Sequence, residues 1–219
     1  MKSPEFLARA GFVSCLAAGV GQFATDYWFV RHYPGYQWMA QSVSYLGQVD
    51  SPVKQEVTAW GIAFAVLMAL FGLSFYLVFA EEGMEARLAA GMILLYGLGE
   101  GAGSGIFPIY PGGDDNGLST FLHELFSIIG DAGLMILPIV LLQVFPRKNH
   151  PAFFRLSWFT FISGLSLAGL FTLTKIHPQE SGILYYRGVW QRIYILIYHI
   201  FLVVVAFKML ASQKNKQRK

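Results

Sequence analysis

Hydrophobic residues in this chain come in six long runs, at about 6–29, 57–80, 87–107, 119–145, 153–175 and 188–211, with polar residues gathered in the stretches between them. None of the runs shows the strict alternation of a half-buried strand. Each is close to the roughly 20 residues that a helix needs to cross ~30 Å of hydrocarbon, and helices or closed barrels alone satisfy their backbone hydrogen bonds in lipid. The pattern predicts an all-α polytopic membrane protein, a six-transmembrane-helix bundle in which residues 1–219 make a single domain. No convincing self-similarity relates residues 1–110 to 111–219, so the inverted repeats common in transporters are not expected.

Composition agrees. The chain is 55% hydrophobic and 13% charged, against about 25% charged in an ordinary soluble domain. Lys2, Arg9, Arg87, Arg147, Lys148, Arg155, Lys208, Lys214, Lys216, Arg218 and Lys219 fall on one side of the bundle. Arg31, Lys54, Lys175, Arg187 and Arg192 fall on the other. By the positive-inside rule both termini face the cytoplasm, and Asp26, Asp50, Glu56, Asp114, Asp115 and Glu180 face outward. The net charge of +3 comes largely from the cytoplasmic edge and tail, which suit anionic headgroups; nucleic acid is not an expected partner. Arg9 interrupts the first apolar run and no small-residue cleavage pattern follows, so that run is expected to be a retained helix. Cys15, the single cysteine, reads as a small buried hydrophobe.

Three spans carry ionisable residues at depth: Glu100, Asp131 and His199. Such groups are costly in hydrocarbon and usually turn toward a cavity, a pathway or one another. Glu100 lies inside the glycine-rich GLGEGAGSGIFP, Gly97 to Pro108, where lost side-chain bulk permits close helix packing and allows bending or unwinding. At 1.5 Å per residue it sits roughly 10 Å below the outer helix end, and Asp131 about 18 Å below its own. His123, Ser127 and Asp131 recur at four-residue steps and form one stripe, with Glu124 beside His123. Arg187 and Gln191 share a face of the last helix, and His199 lies two turns below Arg192 on nearly one face. With Lys175 and His177 these positions predict a funnel, basic at its rim and acidic below. Glu100 with Arg192 is a possible structural ion pair. The first outer loop, residues 31–56, carries Tyr33, Tyr36, Trp38, Met39, Ser44 and Tyr45, and is expected to lie on the membrane surface or fold over the bundle mouth.

The order Ser44-Tyr45-Leu46-Gly47, Gly105-Ile106-Phe107-Pro108, His123 and Gly188-Val189-Trp190-Gln191-Arg192 resembles the DUF998 family of six-helix membrane proteins over most of the chain. That family tends to have Asp after the loop serine, where this chain has Tyr45. It is distantly similar to the Frag1/DRAM/Sfk1 proteins, which include lipid-anchor remodelling factors and regulators of lipid distribution. The resemblance implies a lipid-facing function and a bacterial inner membrane, and carries no catalytic assignment.

Two classes of function fit. One is a binder of a lipid or small polar ligand, with a transport or sensing role, in a cavity formed by Glu100, His123, Glu124, Ser127, Asp131, Arg187, Gln191, Arg192 and His199, with Ser44 in the loop. The other is an intramembrane lipid-modifying enzyme, using acid/base chemistry or a zinc-bound water to act as hydrolase or acyltransferase. Zinc candidates are His123, Asp131 and His199, but no HExxH spacing is present, and no cofactor is expected. Membrane lipids are expected partners, and a homodimer through a small-residue face is compatible with the glycines.

Overall fold

The computed structural model describes residues 4–111, 117–177 and 181–216, with side chains described from Glu5 to Gln213 within those ranges. Lys2, Asp114, Asp115, Glu180, Arg218 and Lys219, assigned above to the two faces, lie outside the described residues, as do the side chains of Lys214 and Lys216. The chain is all-helical among the described residues. It comprises α1 Pro4–His32, a 3₁₀ turn Val43–Gly47, α2 Lys54–Val78, α3, α4 Leu118–Val144, α5 Pro151–Ile176, a 3₁₀ turn Ile183–Tyr185 and α6 Arg187–Lys216. Helix α3 starts as Met84–Tyr96, widens into a π-helical stretch Gly97–Gly103 and closes with the turn Ser104–Ile106.

Each helix packs on its predecessor and α6 returns to α1, closing a ring. Helices α1, α2, α4, α5 and α6 are each long and apolar enough to cross a membrane. Their outward faces carry Val20, Leu73, Ile128, Phe159, Ile162 and Phe207, each more than half exposed. Water would not tolerate so extensive an apolar surface, whereas acyl chains match it. The protein is a multi-pass membrane protein.

Helix limits depart from the apolar runs for local reasons. Helix α1 continues to His32, whose ring bonds the Trp28 carbonyl at 2.7 Å. Helix α3 begins at Met84, earlier than 87, because Gly83 at φ +93° turns the chain. Pro151 starts α5 before 153, since its missing N–H is no loss in a first turn.

The half of the ring near the termini is solid. Phe71, Phe75, Leu137, Leu141, Phe201 and Met209 are fully enclosed there. The other half is hollow, and the first long loop folds across its mouth. Gly188 N–H donates to the Met39 carbonyl at 2.8 Å, Val43 N–H to Gln191 Oε1 at 2.7 Å, and Val49 N–H to the Ile109 carbonyl at 3.0 Å. Leu46 fills the space beneath, with no exposed surface. Of the two expectations for this loop, the structure has the cover.

The π-helical stretch positions the hollow. Gly97 and Gly101 face Met68 and Gly61 of α2, while Gly99 and Gly103 face Phe126 and Gly130 of α4. Backbones approach on both sides, as small residues permit in membranes. Ser104 Oγ donates to the Gly99 carbonyl at 2.8 Å and Thr58 Oγ1 to the Gly105 carbonyl at 2.8 Å, satisfying carbonyls in and just beyond the wider turn. Such π turns are uncommon and are frequent at functional sites.

Candidate functional site: a polar chamber between the helices

The hollow is a cavity of about 580 Å³ bordered by all six helices and the covering loop. Ser44, Glu100, His123, Glu124, Ser127, Asp131, Arg187 and Gln191 line it, together with Asp26, Trp60, Tyr96, Lys175 and Tyr194. Arg192 and His199 do not.

On the α3–α4 wall the two carboxyls come together. Glu100 follows Gly99, whose Cα lies against Gly130, and so emerges beside Asp131. Tyr194 donates its hydroxyl to Asp131 Oδ1 at 3.0 Å. Ser127 Oγ donates to Ser104 Oγ at 3.3 Å and lines the same wall as Glu100. Counting depth separately from each helix end put Asp131 some 8 Å deeper than Glu100, and the structure corrects this. His123 Nδ1 lies 3.0 and 2.9 Å from the Ser104 and Phe107 carbonyls, so α4 starts about a turn and a half beyond the end of α3. Two carbonyl partners assign the proton to Nδ1 and satisfy carbonyls that the helix end leaves open.

On the α6 side, Arg187 Nη2 donates to Ser42 Oγ at 3.1 Å, and the guanidinium lies 5.3 Å from the Tyr45 ring centroid and 5.7 Å from that of Phe171. Lys175 reaches Glu124 at 3.6 Å, both side chains being about half exposed.

Arg192 faces α1. Its Nε and Nη2 donate to the two Asp26 oxygens at 2.8 Å each, and Nη1 donates to the Trp38 carbonyl at 2.8 Å. Its ion partner is thus Asp26, not Glu100. Burial pushes the Tyr36 hydroxyl up, with Arg192 beside it pulling the other way. That hydroxyl accepts from Arg192 at 3.2 Å and lies within donor reach of the Ser42 carbonyl at 2.9 Å.

His199 sits behind the cavity floor among Phe23, Phe64 and Tyr96. Its Nδ1 bonds the Ile195 carbonyl of its own helix at 2.8 Å and its Nε2 has no partner among the described residues. The reason for both corrections is angular. At about 100° per residue, Arg187, Gln191 and Tyr194 fall within roughly 60° of one another, while Arg192 and His199 lie about 120–140° around from Arg187. Helix α6 therefore has two polar faces. His199→Leu is expected to leave the melting temperature unchanged or raised and to preserve ligand response, since it removes a buried atom without a partner. Loss of that response would return His199 to the site.

Among the described residues no three His, Cys, Asp or Glu side chains converge as metal ligands. The zinc set of the sequence reading is divided, with His123 and Asp131 in the chamber and His199 behind its floor. Asp26, Tyr96 and Tyr194 were not singled out from sequence. The signal for the last two was spacing: Tyr96 stands four residues before Glu100, and Tyr194 three after Gln191.

Fold and chamber together define a helical multi-pass membrane protein with ionisable groups facing an internal hollow. The model of the family described as "Protein of unknown function (DUF998)" matches residues 11–208, and the chain belongs to that family. Searches of curated proteins and of solved structures each return no match.

Proposed function

We propose that the protein binds an amphiphilic or small polar ligand from the membrane in this chamber. The observation that carries the reading is where the chamber opens. Among its described lining residues, the exposed ones are Glu124 and Ile128 on α4 and Thr172 and Lys175 on α5, all on one seam. The opening thus faces sideways, where an acyl chain lies in the bilayer, while the loop covers the mouth. Polar groups inside with an apolar approach suit a headgroup that keeps its tail in lipid.

The positive-inside rule supports cytoplasmic termini and a chamber in the outer leaflet of a bacterial inner membrane. Arg31, Lys54, Lys175, Arg187 and Arg192 lie at the chamber end, against Arg9, Arg87, Arg147, Lys148, Arg155, Lys208, Lys214 and Lys216 at the opposite end.

The purified protein, titrated with bacterial total lipid extract in mixed micelles, is expected to gain thermal stability saturably, as binding to the folded state requires. The Glu100→Gln/Asp131→Asn variant is expected to fold and lose that gain. Chemical turnover of the extract would move the protein to the enzyme class, and an unsaturable or variant-independent gain would remove the chamber as the site.

A further inference from the structure

Apart from Asp26, paired with Arg192, and Glu124, paired with Lys175, the charged residues lining the chamber are arranged by sign. We propose that its occupant is an amine-bearing phosphate zwitterion of the phosphoethanolamine type, phosphate at Arg187 and Lys175 and ammonium at Glu100 and Asp131. The proposal rests on the binding reading above and adds the chemistry of what is bound.

At the basic end, Arg187 differs from its neighbour Arg192. Among the described residues no carboxylate lies within salt-bridge distance of it, and its Nε is buried without an acceptor. A buried donor left unmade costs free energy. The guanidinium fork fits phosphate oxygens two at a time. Lys175 Nζ lies 5.5 Å from the centroid of Phe171, the ring that Arg187 also flanks. Its pairing with Glu124 is long and exposed, so an incoming anion exchanges for it at little cost.

At the acidic end the reverse holds. Neither Glu100 nor Asp131 has a lysine or arginine within salt-bridge distance among the described residues. Their surroundings are hydroxyl and aromatic, Ser127, Tyr194 and Tyr96. A primary ammonium supplies the missing positive charge, donates to both carboxyls and is attracted to ring faces.

Helical rise sets the scale of the linker. Arg187 and Tyr194, the residue that holds Asp131, are seven positions apart on α6, a rise of about 10 Å. Glu124, the partner of Lys175, stands the same seven positions from Asp131 on α4. Charge-assisted contacts take about 3 Å at each end, leaving on the order of 4 Å between nitrogen and acidic group. A two-carbon bridge spans that. A simple anion would leave the carboxyls bare, and a simple amine would leave Arg187 bare.

The test is a headgroup series on the wild-type protein, read as apparent Kd in mixed micelles. The probes are dioleoyl-phosphatidylethanolamine, -phosphatidylcholine and -phosphatidylglycerol, with soluble O-phosphoethanolamine as a separate arm. Phosphatidylethanolamine is expected to bind at least tenfold more tightly than either other lipid, because trimethylation removes the donors and glycerol removes the charge. Binding of O-phosphoethanolamine at equal strength would assign a free solute as the source; much weaker binding would assign the lipid. Asp131→Asn is expected to erase the preference over phosphatidylglycerol, and Arg187→Gln to weaken phosphatidylethanolamine at least tenfold. Equal binding of all three lipids, or preference for phosphatidylglycerol, overturns the zwitterion and leaves the binding reading standing if the total extract still stabilises. No binding of any of the probes overturns it as well, and the extract titration then judges the broader reading separately.

Discussion

Asp26→Ala is expected to lower the unfolding free energy by about 3–5 kcal/mol, the cost of leaving a buried charge without its partner. Asp26 and Arg192 are each 14% exposed and meet through two bonds of 2.8 Å. The same guanidinium holds the Trp38 carbonyl and the Tyr36 hydroxyl, so the pair fastens α1, α6 and the covering loop at one point. Arg192→Ala is expected to cost as much. The double variant Asp26→Leu/Arg192→Met should regain most of the loss, because no uncompensated charge remains. Equilibrium unfolding in mixed detergent micelles reads all three. Single variants within 1 kcal/mol of wild type would show the pair to be solvated rather than buried.

Gly99→Ala is expected to destabilise by about 3 kcal/mol, at the upper end of ordinary overpacking, and to abolish ligand response. A Cβ there would lie 2.5 Å from the Phe126 carbonyl oxygen and 2.8 Å from Gly130 N and Cα. Backbone cannot swing aside as a side chain does, so α3 and α4 must part, and Glu100 leaves Asp131. Gly103→Ala meets Phe126 at Cβ and Cγ, atoms fixed beside the α4 backbone, and should cost about as much. Gly91→Ala meets nothing within 4 Å and should be neutral or gain up to about 1 kcal/mol from helix propensity. Unfolding curves in which Gly99→Ala and Gly103→Ala cost no more than Gly91→Ala would mean that the close α3–α4 approach is not tight in solution.

The helices were legible in sequence because hydrocarbon thickness fixes their length and composition fixes their solvent. The acidic wall was legible in part. The four-residue steps His123, Ser127 and Asp131 on α4 faithfully report one face, and the glycines around Glu100 announced close neighbours. What failed was the assumption that every polar residue of a span faces the same interior. Helix α6 carries polar groups on two faces, and periodicity separates Arg187 and Gln191 from Arg192 and His199 without saying which neighbour each face meets. Asp26 alone among the polar residues of α1 could have flagged the second face, since an arginine within a span needs a counter-charge somewhere. Depth failed for another reason: α3 and α4 do not end level, and a single chain gives no common origin from which to count.

The solid half of the ring has a bearing on traffic. With Phe71, Phe75, Leu137, Leu141 and Phe201 closing the bottom and the loop stoppering the top, the chamber is a cul-de-sac rather than a corridor. Whatever docks must back out through the doorway it used. If the proposed binding holds, occupancy of such a berth would be an equilibrium reading of its immediate two-dimensional neighbourhood, suited to sampling one monolayer rather than to shuttling goods between two.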